Sequence, residues 1–290
     1  MTKLLFVVNP VAGQVNKDEI LTKVHAWAQS SEHHIETWHT TGEGDRAQLA
    51  RQVEQYQPEG VVAIGGDGTL MLCAEALMHS PIKLGLIPGG SANGMATELG
   101  IPPDVAAALR IIENGHHIDA DLLAFNQGKW HGLHISDVGM NANLVQQFES
   151  SERRGFLGYA QGVASQLMRP EIFHVHLQLD DREVNEVCYM VAFANASRYG
   201  TGALLSKVGR LDDGLFEVFV LKELNLTGIA GQFLDWLAEN PEYFEVYQTR
   251  KAQLHLGASQ WLQIDGELKR QTQEVSVEVV PGCLKLLVPG

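Results

Sequence analysis

Residues 61–64 read Val-Val-Ala-Ile and run directly into Gly65-Gly66-Asp67-Gly68-Thr69-Leu70. A short β-branched run suits a strand buried on both faces of a parallel sheet. The glycines at 65, 66 and 68 then let the backbone turn tightly, with no Cβ to hold a ligand away. From Thr69 to Met78 the sequence is rich in helix formers, which predicts a helix opening at that turn. Free N–H groups and the helix dipole make such an opening a seat for phosphate. Asp67, expected as an exposed loop carboxylate, repels phosphate unless it holds Mg²⁺ or accepts a hydroxyl hydrogen bond. That exception points to nucleotide chemistry rather than passive anion capture. A glycine-rich turn capped by Asp67 is the simpler reading of the same residues. The loop has neither the Gly-Lys-Ser/Thr ending of a Walker A motif nor a G-x-G-x-x-G fingerprint.

With 290 residues the chain can bury a large core and suits two domains. Its formal charge of −14 argues against a general electrostatic footprint for nucleic acid or anionic membrane, so no nucleic-acid partner is expected. Cys73, Cys188 and Cys283 lie far apart, form no metal-spaced cluster and suggest a reducing cytoplasm. The apolar run Leu4–Val8 is too short for a signal-peptide core, and no later stretch approaches transmembrane length. The adjacent pairs His33-His34 and His116-His117 point apart on a strand and are expected at the surface rather than around zinc.

Up to about residue 115, strand and helix patterns alternate, the signature of a parallel sheet covered by helices. Strands are predicted at Leu4–Val8, His34–Trp38, Val61–Ile64 and Lys83–Ile87. Helices are predicted over Lys17–Ser30, Asp45–Gln55, Thr69–Met78 and Asp104–Glu113. Beyond His116 the segments are short and alternating: His131–Val138, Phe173–Leu179, Val187–Ala194, Leu215–Leu221 and Val275–Val280 read as antiparallel strands. Helices at Phe156–Met168 and Thr227–Glu239 interrupt them. The expected architecture is an N-terminal doubly wound parallel α/β domain, residues 1–117, and a C-terminal antiparallel β-sandwich-like domain with helices, residues 118–283. Residues 284–290 are expected to return to the first domain. Small ligands bind at the C-terminal ends of parallel strands and at domain interfaces, so a cleft between the domains is the expected site.

Four loops follow the predicted parallel strands. In Asn9-Pro10-Val11-Ala12-Gly13, Asn9 either holds the loop or touches a phosphate, and a plain turn fits equally well. Thr40-Thr41-Gly42-Glu43-Gly44-Asp45 offers hydroxyls to a nucleotide, or a cap from Asp45. Gly65–Thr69 is the third. The fourth, Gly89-Gly90-Ser91-Ala92-Asn93-Gly94-Met95-Ala96, again puts small residues before a helix, with Ser91 as N-cap, phosphate ligand or both.

Taken in order and spacing, Asn9-Pro10-x-x-Gly13, Gly65-Gly66-Asp67-Gly68-Thr69, Gly90-Ser91-x-Asn93-Gly94-x-Ala96 and Leu99-Gly100-Ile101-Pro102 resemble the diacylglycerol kinase catalytic family. Sphingosine kinases and NAD kinases share the glycine motif, but NAD kinases lack the third segment. Ser-Ala-Asn-Gly is closer to the sphingosine-kinase style than to the Thr-x-Asn-Asp usual in diacylglycerol kinases, which leaves the lipid headgroup open. The resemblance implies an NAD kinase/diacylglycerol kinase-like fold and transfer of the γ-phosphoryl group of ATP to the hydroxyl of a diacylglycerol-like or sphingoid lipid.

The same resemblance implies roles residue by residue. Nucleotide contacts fall on Asn9, Thr40, Gly65, Gly66, Asp67, Gly68, Thr69, Leu70, Met71, Gly90, Ser91 and Asn93. By its own chemistry rather than by the resemblance, Asp67 is the expected catalytic organiser of metal and phosphate, and Asp121, in Ile118-Asp119-Ala120-Asp121 near the expected domain crossing, is a residue that could join it. Mg²⁺ is held by the Asp213 carboxylate and the carbonyls of Arg210 and Leu215, although Asp213-Gly214 also suits a simple hairpin turn. Glu267, in Ile264-Asp265-Gly266-Glu267, is the general base for the lipid hydroxyl, or a turn residue with no role. Arg153-Arg154-Gly155-Phe156-Leu157-Gly158-Tyr159 either borders the lipid entrance or forms a loop and helix cap. ATP and Mg²⁺ are the expected cofactors. The lipid is expected to be drawn from a membrane surface by a cytoplasmic enzyme that is peripheral during turnover, with a homodimer as one expected assembly. An NAD kinase and a catalytically silent nucleotide-binding regulator are the alternative readings.

Overall fold

The computed structural model describes residues 2–31, 33–140, 142, 171–196, 198–199, 203–204, 209–223 and 244–290. The expected helices at 156–168 and 227–239 and the segment 153–159 lie outside the described residues. Two compact units emerge, the first chiefly from Met1–Asp121 and Pro281–Gly290, the second from Leu122–Tyr199 and Ala203–Val280.

In the first unit, β1 (Lys3–Val8), β2 (His34–His39), β3 (Gly60–Gly65) and β4 (Lys83–Pro88) are parallel and lie in the order β2-β1-β3-β4. The helices are α1 (Lys17–Ser30), α2 (Asp45–Tyr56), α3 (Asp67–Leu77), α4 (Gly94–Glu98) and α5 (Val105–Asn114). Every residue of β3 is buried, as a strand covered on both faces requires. The chain steps one way along the sheet from β1 to β2 and the other way from β2 through β3 to β4. Right-handed crossovers then place α1 on one face and α2 and α3 on the other. Contacts agree: α2 meets α3 through Arg46–Glu75 at 3.3 Å, and Trp27 on α1 donates to Glu113 on α5 at 3.4 Å. This is the doubly wound arrangement, and its direction reverses between β1 and β3. Ligands of such sheets sit beyond the strand C-termini at that reversal.

The second unit is antiparallel. Its strands are β5 (His116–Phe125, which begins in the first unit), β6 (Trp130–Gly132), β7 (Ile135–Gly139), β8 (Phe173–Leu179), β9 (Glu183–Cys188), β10 (Met190–Ala194), β11 (Arg198–Tyr199), β12 (Ala203–Leu204), β13 (Phe216–Leu221), β14 (Phe244–Thr249), β15 (Lys251–Ile264) and β16 (Glu267–Val288). The long strand β15 changes neighbours along one edge. Ala252–Leu256 pairs with β8, and Leu262–Ile264 with β7, while β16 runs along the other edge. Two layers result, β14-β13-β10-β7 continuing from one half of β15 and β9-β8 from the other. Between them lie Phe125, Val138, Leu177, Phe193, Phe216 and Leu254, with Phe125–Phe193 and Phe193–Phe216 packed edge to face. The last residues of β16 belong to the first unit and pair in parallel with β4, Leu286 opposite Leu84.

Three expectations are corrected. Strand 131–138 is two strands, broken at Leu133 and His134, and strand 187–194 is two, broken at Tyr189. Strand 275–280 is part of the much longer β16.

Candidate active site

The loops after β1, β3 and β4 are held together by backbone, glycine against glycine. A Cβ on Gly90 would lie 2.5 Å from the Gly66 Cα, and one on Gly13 would lie 2.8 Å from the Gly89 carbonyl oxygen. Gly13 also has φ +59, which favours glycine by itself. Gly65 is required by its own helix, since a Cβ there would collide with the Thr69 side chain. These glycines therefore let the loops touch each other, a demand beyond the tight turn and the close ligand approach expected of Gly65, Gly66 and Gly68.

Asp67 departs furthest from expectation. It is half-buried, and its carboxylate accepts from Gly94 N at 3.0 Å and Met95 N at 2.9 Å, capping α4 from the first turn of α3. Ser91, offered as a cap for that helix, is exposed and lies two residues before the actual N-cap, Asn93. Asn93 sits at φ +51 and clamps Gly90, accepting from its N at 2.8 Å and donating to its carbonyl at 3.0 Å. The Asn9 carboxamide accepts from Val11 N at 3.1 Å, so it holds its loop. Thr40 donates its N–H to Val8 at 2.9 Å, beside the end of β1. The next loop is gathered by Asp45, which accepts from Thr41 N, Gly42 N and the Thr41 hydroxyl. Burial pushes the Asp45 carboxyl upward, but those three donors outweigh it and its pKa lies below the ordinary carboxylate value.

Of the helix residues implicated, Leu70 is wholly buried in the core and Met71 is half-buried. Thr69 and Leu70 both give their N–H to the Gly66 carbonyl, at 3.0 and 3.1 Å. What remains available is backbone. Among the described residues, the amides of Asp67, Gly68, Ser91 and Ala92 make no hydrogen bond. Asp67 and Gly68 lie in the first turn of α3 and Ser91 and Ala92 in the turn just before the N-cap of α4, in the loops that follow β3 and β4. Asp121 is buried and accepts from Gly282 N at 2.7 Å, so it anchors the returning C-terminal segment.

In the sequence Lys17 reads as one more helix residue, and the structure gives it a further role. Its ammonium donates to Ala12 at 2.5 Å, Val15 at 3.0 Å and Gly89 at 2.8 Å, tying the β1 loop to the β4 loop. Burial pushes its pKa below the ordinary lysine value. A signal was present, because a cation at the first residue of a helix opposes the dipole and needs another reason to be there. Lys17→Met keeps the apolar stem and is expected to cost about 1–3 kcal/mol. Faster amide hydrogen exchange in residues 11–16 and 89–93 is the measurement that separates a loop tie from general destabilisation.

In the second unit, Asp265 (φ +48) and Gly266 (φ +83) form the two-residue turn joining β15 to β16, with Ile264 opposite Glu267. The turn is fastened from below. The Asp265 carboxylate accepts from Leu133 N at 2.7 Å and His134 N at 3.0 Å, which is why the strand expected over 131–138 breaks there. Gln263 accepts from Gly266 N at 2.7 Å and donates to the wholly buried Asp137, whose other oxygen accepts from Ala142 N at 2.9 Å. Asp137 and Gln263 were not singled out from sequence. Glu267 itself is exposed, with its carboxylate 2.7 Å from the Lys269 ammonium.

Around Asp213, its carboxylate accepts from Leu215 N at 3.0 Å, while Arg210 pairs with Asp212 at 3.0 Å. Gly214 carries φ +72. Behind the turn, Glu217 is buried, and burial followed by the charge of Asp213 raises its pKa to about 7. The available ligand atoms here are oxygens, and the Asp213 charge acts on Glu217 although Gln248 donates to Glu217 and Leu215 N to Asp213, a donor type that fits Mg²⁺. Among the described residues no group of three His, Cys, Asp or Glu side chains is arranged for a metal ion, so backbone carbonyls would have to contribute.

The raised Glu217 pKa has a consequence for stability. Because the folded value exceeds the ordinary 4.5, the stability that this group contributes is fully present below pH 4.5 and is lost as pH rises through about 7. Glu217→Gln mimics the protonated form. In EDTA it should match wild type near pH 4.5 and exceed it by on the order of 3 kcal/mol above the folded pKa. Thermal denaturation across that range checks this, and equal stability gains at both ends would contradict it.

Comparison with known proteins decides the family. The diacylglycerol kinase catalytic domain model matches residues 3–125, and the YegS C-terminal NAD kinase beta sandwich-like domain model matches residues 134–288. The chain belongs to the family of the YegS C-terminal domain, whose model covers more than half of it, and a diacylglycerol kinase catalytic domain precedes that region. As a member it is a kinase of the lipid-kinase group, with an α/β catalytic domain followed by the family's sandwich-like domain. A Stenotrophomonas maltophilia protein named probable lipid kinase YegS-like is 27% identical, over 94% of this chain and 92% of its own length. A diacylglycerol kinase from Staphylococcus carnosus is 24% identical, over 76% of this chain and 72% of its own. The crystal structure of a Bacillus anthracis diacylglycerol kinase shares the fold at TM-score 0.74 and 20% identity, covering 99% of this chain and 97% of that one. Among the described residues, no helix of this family member is long and apolar enough to cross a membrane.

Proposed function

We propose that this family member uses ATP to phosphorylate the hydroxyl of a diacylglycerol-like or sphingoid lipid. The observation that carries the nucleotide half is the set of unpaired amides at Asp67 and Gly68, in the first turn of α3, and at Ser91 and Ala92, in the turn just before α4. Phosphates accept from such amides without any side-chain rearrangement. Asp67 and Lys17 act as the frame that holds these loops in register, since positioning and electrostatics carry most of phosphoryl transfer.

For the acceptor half, Glu267 is the base that takes the hydroxyl proton. An alcohol of high pKa is a poor nucleophile, and a positioned carboxylate contributes roughly 10²–10⁴-fold. Gln263 and Asp265 keep its turn rigid, and Lys269 orients the carboxylate. Bound Mg²⁺ would neutralise charge; Asp213, with the carbonyls of Arg210 and Leu215, is the set that would hold such an ion. An NAD kinase is the rival reading, weighed down by the Gly90–Ala96 segment. Radiolabelled ATP incubated with phosphatidylglycerol, diacylglycerol, monoacylglycerol, ceramide, sphingosine and NAD in mixed micelles tests both. Label entering a lipid supports the proposal, and label entering NAD alone replaces it.

A further inference from the structure

We propose that Lys129, Trp130 and Arg270 form a docking face for an anionic lipid bilayer, an inference that rests on the lipid-kinase reading by supplying its membrane contact. The Lys129 ammonium lies 4.4 Å and the Arg270 guanidinium carbon 5.6 Å from the centre of the Trp130 ring. Both cations are exposed and the indole is half-buried, packed against the core of the second unit. Among the described residues, neither cation has a carboxylate within ion-pair distance. That is unexpected in a chain where 35 acidic residues outnumber 21 lysines and arginines. Two like charges held together on one ring, without an acid to relieve them, are suited to an external anion.

The aromatic ring decides in favour of a membrane surface. Tryptophan flanked by lysine and arginine is the composition of the bilayer interface, with an apolar body at headgroup depth and cations on the phosphates. Here the ring is pinned by the core below and by the cations around it, so contact is shallow and chiefly electrostatic. The place also fits. Trp130 lies on β6, which leads to Leu133 and its bond with Asp265, and Arg270 follows Glu267 on β16. A bilayer on this face would lie alongside the turn that carries the proposed base. The chain's overall charge of −14 repels anionic membranes, so a local basic face also selects one orientation of approach.

The test is flotation of the full chain with phosphatidylcholine vesicles, with and without phosphatidylglycerol, at low and high salt. Wild type should bind the phosphatidylglycerol vesicles preferentially and release them at high salt. K129Q/R270Q should weaken that binding roughly ten- to thirtyfold, from the loss of two interfacial cations. K23Q/R51Q, an equal charge change at exposed positions of α1 and α2, should bind as wild type does. Wild-type binding indifferent to phosphatidylglycerol would overturn the inference. So would K129Q/R270Q binding like wild type, or both double variants weakening equally. Flotation needs neither ATP nor turnover, so it can fail while the kinase reading stands, and the label-transfer assay can fail while docking stands.

Discussion

Replacing Glu267 by Gln should lower kcat by about two to four orders of magnitude and leave ATP affinity nearly unchanged. The substitution keeps the size of the side chain and removes only its basicity. Folding should be untouched, because Glu267 is exposed and the turn beneath it is held by Asp265 on Leu133 and His134 and by Gln263 on Gly266. The amide oxygen can still accept from Lys269, so orientation is preserved while proton uptake is lost. Slow residual transfer is expected from the phosphate loops. Single-turnover transfer to the best lipid of the panel is the measurement. A rate within about threefold of wild type, on the order of 0.7 kcal/mol in barrier, would exclude Glu267 as the base.

The sequence made the alternation of β1–α1–β2–α2–β3–α3–β4 legible because the strands there, the more polar β2 apart, are largely apolar runs and each helix has its own 3.6-residue face. In the second half legibility fails where long-range hydrogen bonds decide local structure. Nothing near Leu133 and His134 announces that their amides belong to an aspartate far along the chain, so one strand was read where there are two. The length of β16 was hidden for a related reason. It passes from the second unit into the first, and its pattern of burial changes with its neighbours. At the candidate site, residue types were readable but not their partners. Glycines 66 and 90 signalled close approach, yet the approach is of one loop to another. Asp137 and Gln263 were invisible because burial of a polar group is a tertiary fact, whereas Lys17 showed only as a cation misplaced at a helix start.

Asp67→Ala should reduce phosphoryl transfer by at least about a hundredfold, the scale on which displacement of a positioning element by about 1 Å acts. It should also destabilise the first unit by about 2–4 kcal/mol, since a half-buried carboxylate bridging Gly94 N and Met95 N is lost and both amides are left open. The two losses have different causes if Asp67 also meets phosphate or metal, and Asp67→Asn separates them. Asparagine is nearly isosteric and keeps one acceptor oxygen, so it can restore one of the two bonds and part of the melting temperature. If bracing α4 is the whole role, activity at a temperature where both variants are folded should recover in proportion to that stability. If the charge itself is needed beside the phosphates, Asn should be as inactive as Ala despite its recovered fold. Wild-type activity in folded Asp67→Ala would remove the site from this loop altogether, and with it the assignment of the Asp67, Gly68, Ser91 and Ala92 amides to phosphate.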